Sequence, residues 1–275
     1  RPDEIDELLA SLCKQSSKQF EVVIVEDGSS VKSDKIIDKY RDELSIKYIF
    51  KSNSGPGLSR NAGAKVATYD YFIFFDSDCI IPENYIDNVI KFLKNNYADA
   101  YGGPDAALPT FSITQKAINY SMTSFFTTGG IRGGSKSMDK FHPRSFNLGV
   151  SREAFTDLGG YGKMRFAEDI DFSLRLLSKG YNSTLIPEAY VYHKRRSTFR
   201  QFFKQVYNSG IARINLNIIH PGSLKFVHIL PSCFVIGITL ILILSVFYSP
   251  LLLIPLLYSI IVFIDSLIKN SSAKV

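Results

Sequence analysis

The sequence predicts an α/β protein: a Rossmann-like, mostly parallel central sheet with helices on both faces, followed by a C-terminal transmembrane helical hairpin. Three observations carry this expectation. Short runs of β-branched and aromatic residues alternate with helical stretches from Phe20 to Asn95, and such an alternation builds a parallel sheet covered by helices. The run Phe72-Ile73-Phe74-Phe75 ends in Asp76-Ser77-Asp78, the pattern of a buried strand whose carboxyl end opens on a crevice. From Phe226 to Ile268 the chain is almost wholly apolar, interrupted at Tyr248-Ser249-Pro250.

Taken in order, Pro2-Asp3-Glu4 reads as a helix N-terminus, with proline early and acids in the first turn. Ile5, Leu8, Leu9 and Leu12 continue it at helical spacing. A chain that opens on a helix within this alternation is expected to follow a strand that precedes Arg1. Phe20–Val25 is a β-branched strand ended by Glu26-Asp27-Gly28-Ser29-Ser30, Ser33–Tyr40 is helical, and Ile46–Phe50 is a second strand. Asn53–Gly57 is a loop that leads into a small-residue helix, Leu58–Ala67. The Phe72–Phe75 strand comes next, then a helix over about Pro82–Asn95. Beyond Ala98 the pattern loosens. Ala100–Gly103 reads as a strand, Phe111–Phe126 as helical, and the Gly-, Ser- and base-rich Thr127–Ser145 as a mobile loop with nothing to bury. A strand at Ser145–Val150, a short helix at Arg152–Leu158 stopped by Gly159-Gly160, and a helix after Ala167-Glu168-Asp169 follow. Asp171 is expected to be an exposed partner for Arg175 one turn on. Short strands surround Pro187, and Phe199–Asn217 reads as an amphipathic helix lying on a membrane.

The apolar stretches Phe226–Tyr248 and Leu251–Ile268 each have a length that crosses a bilayer, about 17–25 residues. A buried core hairpin is the alternative, but core helices of soluble proteins carry a polar face and these do not. Basic residues precede the first stretch (Lys194, Arg195, Arg196, Arg200, Lys204, Arg213, Lys225) and follow the second (Lys269, Lys274). The excess of basic residues at both ends places them in the cytoplasm. The expected location is therefore the inner (plasma) membrane, with the large N-terminal part on its cytoplasmic face.

The length of 275 residues, 45% hydrophobic, suffices for one α/β domain and an added segment. The net charge of +6 suits nucleic acid, an anionic membrane or a phosphorylated substrate, and selects none of them alone. The three cysteines, Cys13, Cys79 and Cys233, have no metal-ligand spacing and make no disulfide framework.

Three acidic spots lie at strand ends or a helix start: Glu26-Asp27, Asp76/Asp78 and Glu168-Asp169. Carboxyl ends of parallel strands share one edge, so the first two face one crevice. Carboxylates that close need a cation between them or a proton on one of them. Two Asp flanking a crevice suit a divalent cation completed by phosphate oxygens; a surface turn with solvated acids is the alternative. Arg60, at the start of a helix after Gly57-Leu58-Ser59, has a place beside phosphates and the helix dipole, or in solvent. Glu168-Asp169 favours a helix N-terminus for the dipole alone, or supplies a general base.

The order Glu26-Asp27-Gly28-Ser29-Ser30, Gly55-Pro56-Gly57-Leu58-Ser59-Arg60-Asn61-Ala62-Gly63, Asp76-Ser77-Asp78, Asn147 to Phe155 with Gly159-Gly160-Tyr161, and Glu168-Asp169 resembles the family-2 glycosyltransferases of GT-A fold. The resemblance covers Glu21 to His193. It implies inverting transfer from a nucleotide-diphosphate sugar, usually a UDP-sugar, to a hydroxyl of a glycan or lipid-linked saccharide. It implies Mn2+ or Mg2+ as cofactor and a membrane, not nucleic acid, as the larger partner. Asp27 matches the position that contacts the nucleobase, within a donor-binding set that includes Glu26, Gly28, Gly57 and Asn61. Arg60 matches a position that reaches base or diphosphate. Asp76 matches a ribose or metal contact and Asp78 a metal ligand, with His193 where some members place a third. Asp169 matches the catalytic base, with Glu168 as the weaker candidate. Asn147 and Gly149 match the floor of the acceptor pocket. The implied division is a GT-A catalytic domain over 1–197, an interfacial helix and linker over 198–225, two transmembrane helices over 226–268 and a cytoplasmic tail over 269–275.

Two departures qualify the resemblance. The family's first strand and its Pro-x-Tyr-Asn-type turn are not in this sequence. The Gln-x-x-Arg-Trp motif of the processive polysaccharide synthases is impossible in a chain with Trp 0, so transfer of one sugar per encounter is expected. A haloacid-dehalogenase-like phosphohydrolase also places Asp-x-Asp after a buried strand. That fold wants Thr or Val where Ile80 stands and carries the motif on its first strand. A membrane subunit that binds nucleotide sugar without turnover is the non-enzymatic reading, and it leaves the full set of acids without a use.

Overall fold

A computed structural model describes residues 1–106, 108, 111–128, 142–194 and 196–272. The chain forms two compact units. One comprises Arg1–Ser112 and Ser135–Ser197, the other Ile113–Gly134 and Thr198–Val275.

The first unit opens with α1 (Pro2–Cys13), which has Pro2 in its first turn and buries Leu9 and Leu12. Strand β1 (Val22–Asp27) is followed by the short α2 (Asp34–Asp38) and by β2 (Ile46–Lys51). β1 and β2 are parallel, in register from Val22 opposite Ile46 to Asp27 opposite Lys51. The α3 helix (Pro56–Val66) packs on β1 through Gly63, where a Cβ would sit 3.3 Å from Val25. Then come β3 (Tyr71–Phe75), β4 (Cys79–Ile80), α4 (Tyr85–Asn95), β5 (Ala100–Gly102) and β6 (Asp105–Ala106). After an excursion into the second unit through α5 (Ile113–Thr123) and α6 (Phe125–Thr128), the chain returns as β7 (Asn147–Ser151). It continues through α7 (Arg152–Asp157), α8 (Glu168–Ser178), β8 (Ser183–Leu185) and β9 (Val191–His193).

The sheet is mixed where the sequence predicts a mostly parallel one. Among the described residues three sheets form, with strand orders β1-β2, β3-β7-β5-β8 and β4-β9-β6. β7 runs antiparallel to both β3 and β5, and β4 runs antiparallel to β9; β5–β8 and β6–β9 are parallel. The reason is the chain path. β7 re-enters from the second unit rather than from a helix packed on the sheet. Two apolar clusters fill the unit, one around Leu9, Ile37, Tyr85 and Val191, the other around Phe72, Phe155, Phe172 and Leu176.

Asp171 is buried rather than exposed. Its pairing with Arg175 is as expected, at 2.9 Å, and Arg175 also donates to the carbonyls of Leu158 and Gly160. The pair thereby clamps the Gly159-Gly160 turn, at which both glycines have φ of 69°.

The second unit contains α5 and α6 together with α9 (Phe199–Ile219), α10 (Leu230–Leu244) and α11 (Leu253–Ser272). Tyr120 and Ser124, at the end of α5, donate to the Asp265 carboxylate on α11 at 2.7 and 2.8 Å. The first expected span, Phe226–Tyr248, is not one helix. It starts as a 3-10 turn at Phe226–His228, and Pro231 lies in the first turn of the 15-residue α10, where its missing N–H breaks no helical bond. That length falls short of the roughly 20 residues a span needs. Ser249–Lys269, with 21 residues, is the one segment among the described residues long and apolar enough to cross a membrane. Of the loop expected over Thr127–Ser145, residues 129–141 lie outside the described residues.

Candidate active site

β1 ends in two acids with different surroundings. Glu26 is turned inward, accepting from the Ser33 backbone N–H at 3.1 Å, from the Ser33 hydroxyl and from the Tyr48 hydroxyl. It ties the chain after β1 to β2, and its carboxylate does not line the crevice. Asp27 accepts from the backbone N–H groups of Ser54 and Gly55 at 2.9 and 2.8 Å and pairs with Lys51. Burial opposes its charge, but Lys51 and these N–H donors hold its carboxyl below the usual range. The loop before α3 is thus folded around Asp27. Gly28 makes the turn possible, because its φ is +71° and a Cβ there would sit 2.8 Å from the Asn53 nitrogen.

Arg60, on α3, bridges two of the acidic spots. One guanidinium nitrogen lies 2.7 Å from Asp76, at the end of β3, and the other 2.9 Å from Glu168, at the start of α8. The guanidinium lies 5.4 Å from the centre of the Tyr161 ring. With a side-chain exposure of 13%, Arg60 is not the solvated residue of the alternative reading. Its neighbours on α3 serve packing. A Cβ on Gly57 would lie 3.1 Å from Tyr161 and 3.4 Å from Glu168. Asn61 donates to the Tyr161 carbonyl and accepts from its N–H, at 2.9 and 2.8 Å. The two residues therefore shape the wall that carries Glu168.

Glu168 and Asp169 open α8 behind Ala167, whose φ of 60° is the left-handed exception among described non-glycine residues. Such a backbone costs on the order of 1–2 kcal/mol for an L-residue, and it turns the two acids in different directions. Burial raises the Glu168 carboxyl above its ordinary range; the Asp169 charge adds to this and Arg60 opposes it. Asp169 pairs with Arg144 at 2.8 Å, and its other oxygen accepts the Ile170 N–H at 2.8 Å.

The two acids of Asp76-Ser77-Asp78 also part company. Asp76 faces Arg60, whereas Asp78 lies 3.2 Å from Nε2 of His193 on β9, which pairs with β4. Of the expected metal ligands, the structure brings Asp78 and His193 together and gives Asp76 to the guanidinium. Burial disfavours charge on both members of the pair. Their mutual attraction outweighs it, raising the His193 imidazole and lowering the Asp78 carboxyl. His193 stacks on Phe146 with ring centres 4.9 Å apart, and its buried Nδ1 has no hydrogen-bond partner. A carboxylate oxygen and an imidazole nitrogen at one buried point fit a divalent cation that is completed by phosphate oxygens. Cys79, which the sequence reading leaves out, offers its sulfur to the same point. Burial pushes this thiol far up, so it stays protonated and donates to the Phe146 carbonyl at 3.6 Å.

Glu4 is a second residue that sequence reasoning misses, since an acid in a first helical turn signals only the helix dipole. Here it is buried, paired with Arg1 at 2.7 Å, and accepts the Ser77 hydroxyl at 3.2 Å. It thus holds the residue between Asp76 and Asp78. Asn147 and Gly149, expected on the acceptor-pocket floor, lie beneath any surface. Asn147 is wholly buried, donates to the Ala189 carbonyl at 2.7 Å and accepts from the Tyr85 hydroxyl. A Cβ on Gly149 would lie 1.9 Å from the Tyr101 ring. Neither side-chain position can meet an acceptor.

The comparison with known proteins bears on the whole constellation. The sequence profile described as glycosyl transferase family 2 matches residues 1–159. A poly(ribitol-phosphate) beta-N-acetylglucosaminyltransferase, TarS of Staphylococcus aureus, is 35% identical over 99 residues, 34% of this chain and 17% of TarS. The chain therefore aligns with about a sixth of that relative's length. The structure of S. aureus TarS 1-349 in complex with UDP-GlcNAc is similar at a TM-score of 0.53 and 22% identity, covering 77% of this chain and 63% of that one. The mannosyltransferase PcManGT of Pyrobaculum calidifontis, solved with GDP-Man and Mn2+, is similar at a TM-score of 0.59 and 14% identity, covering 100% and 85%. These likenesses establish the GT-A α/β fold. With the profile matching more than half of the sequence, the chain belongs to glycosyl transferase family 2.

Proposed function

We propose that the protein transfers one sugar, with inversion, from a nucleotide-diphosphate sugar to a hydroxyl of a glycan or lipid-linked acceptor. A UDP-sugar is the donor class favoured by the UDP-GlcNAc complex of TarS. The observation that carries the reading is the convergence of Asp76, Glu168 and Arg60 between the Asp78–His193 pair and Asp169. Asp27 and its folded loop form the nucleoside end, and Glu26 acts by holding the chain behind it. Asp78 and His193 would hold Mn2+ or Mg2+, which would supply positive charge against the departing diphosphate. Arg60 fixes Asp76 toward the donor and Glu168 beside the base. Asp169 accepts the acceptor's hydroxyl proton as that oxygen bonds to the anomeric carbon. The bond from that carbon to the diphosphate oxygen breaks, and the electron pair leaves with the nucleoside diphosphate.

The second unit serves as the membrane attachment, with Ser249–Lys269 as its deepest segment and the catalytic unit on the cytoplasmic face of the inner membrane. The test is nucleotide release from a panel of nucleotide sugars with Mn2+ or Mg2+. Asp169→Asn should lower transfer by about 100- to 10,000-fold and leave UDP binding near that of the parent protein. Retained transfer in that variant, or release of inorganic phosphate from simple phosphoesters, would overturn the proposal.

A further inference from the structure

The α9 helix has its apolar side on the outside. Phe199, Phe203, Tyr207, Ile211, Ile214 and Ile218 recur at steps of three and four, which places them along one stripe of a helix. All six are exposed, Phe203 at 71% and Ile218 at 74%. The buried residues Ala212 and Leu216 lie on the opposite side. A helix on the surface of a water-soluble protein has the reverse arrangement, with its polar face outward. Arg200 lies within the stripe at its N-terminal end, Lys204 borders one edge and Arg213 lies beyond the other. No carboxylate occurs between Glu188 and Asp265, whereas Arg196, Arg200, Lys204, Arg213 and Lys225 fall in that interval. The apolar exposure continues in the same unit through Phe226, Phe234, Leu253 and Phe263.

From this pattern we infer that α9 lies in the plane of an anionic bilayer, its aromatic stripe seated among the upper acyl chains and its basic flanks on acidic headgroups. An unbroken positive interval matches an anionic surface, and a long outward apolar stripe has no use in water. An in-plane helix of this composition buries its apolar face about 5–10 Å into the headgroup and acyl boundary. The inference rests on the membrane-attached reading of the second unit and adds to it a lipid class and a contact face.

The chain contains no Trp, so a single introduced Trp reports one position without background. The full chain is reconstituted in vesicles of brominated phosphatidylcholine, with and without phosphatidylglycerol. Four variants are compared: Phe203→Trp and Tyr207→Trp on the stripe, Gln201→Trp across the helix, and Phe263→Trp in α11. With phosphatidylglycerol, shallow bromines should remove roughly half of the emission of the two stripe positions and little of that of Gln201→Trp. Replacing Arg200 and Lys204 by Gln should return the stripe signal to its value in purely zwitterionic vesicles. Unquenched, water-like emission from both stripe positions beside a quenched Phe263→Trp would overturn the inference and leave the attachment standing. Blue-shifted but unquenched stripe positions would overturn it in favour of a protein cover, a second copy included. If Phe263→Trp is unquenched as well, the attachment itself fails and the inference falls with it.

Discussion

At the scale of the residue, the site is a set of assigned partners rather than a pool of acids. Arg60 takes Asp76 and Glu168, His193 takes Asp78, Arg144 takes Asp169, and Lys51 takes Asp27. Carboxylates this close would otherwise repel or protonate. Glu4 stands outside this set and acts through Ser77, as a positioning residue. Glu4→Ala should weaken activating-metal affinity and activity by about 10- to 100-fold, the range for partners that orient a metal ligand. Glu4→Gln, which still accepts the Ser77 hydroxyl, should restore most of it. Equal metal titration curves for the parent and Glu4→Ala proteins would refute that role. Glu26, Asp27, Asp76 and Asp78 were legible in the sequence because they close apolar runs, and Arg60, Glu168 and Asp169 because they stand near helix starts within motifs of the family. The pairings were not, because Arg60 and Glu168 are 108 residues apart and no local pattern encodes such a contact. Cys79 and Glu4 were missed for a related reason: one reads as strand filler and the other as a helix start.

At the scale of the element, one carboxylate just before β1 joins three segments. Glu21 pairs with Lys47 on β2 at 2.7 Å and accepts from the backbone N–H groups of Thr68 and Tyr69, between α3 and β3. Burial opposes its charge, but Lys47 and these donors win and bring its carboxyl down to about 2. A depressed folded-state value gives stability that is present above the unfolded-state carboxylate value of about 4.3. It is lost as pH falls toward the folded-state value. Glu21→Gln should therefore be less stable near neutrality and lose less stability between about pH 4.3 and pH 2. Denaturant midpoints measured across that range check it, and parallel acid limbs for the two proteins would count against it. Long periodic elements such as α4, and strongly apolar strands such as β3, were legible in the sequence. β4, β5, β6, β8 and β9 have two or three residues each, too few for periodicity to declare direction or partner. The β4–β9 return was invisible for that reason, and the β3–β7 return because 71 residues separate strands whose direction no local pattern records.

At the scale of the whole molecule, the groups proposed to bind the donor come from all three sheets. Asp27 ends a strand of the two-stranded sheet, Asp76 follows a strand of the four-stranded one, and Asp78 and His193 flank or belong to strands of the three-stranded one. Among the described residues no backbone ladder joins the three sheets. One apolar cluster, with residues from β1, β2, β3, β4, β5 and β9, connects them. In the proposed reading, a nucleoside diphosphate with its metal would touch each sheet at once, and so would act as a structural tie in the enzyme that releases it. Binding at a hundredfold excess over Kd contributes about 2.7 kcal/mol, and each kcal/mol raises Tm by about 2–4 °C at this size. UDP with Mn2+ should therefore raise Tm by roughly 5–10 °C in a thermal melt, and Asp78→Ala should abolish most of that rise. The correct nucleotide would then announce itself as heat resistance, and a melting curve would sort donor bases before any acceptor is in hand.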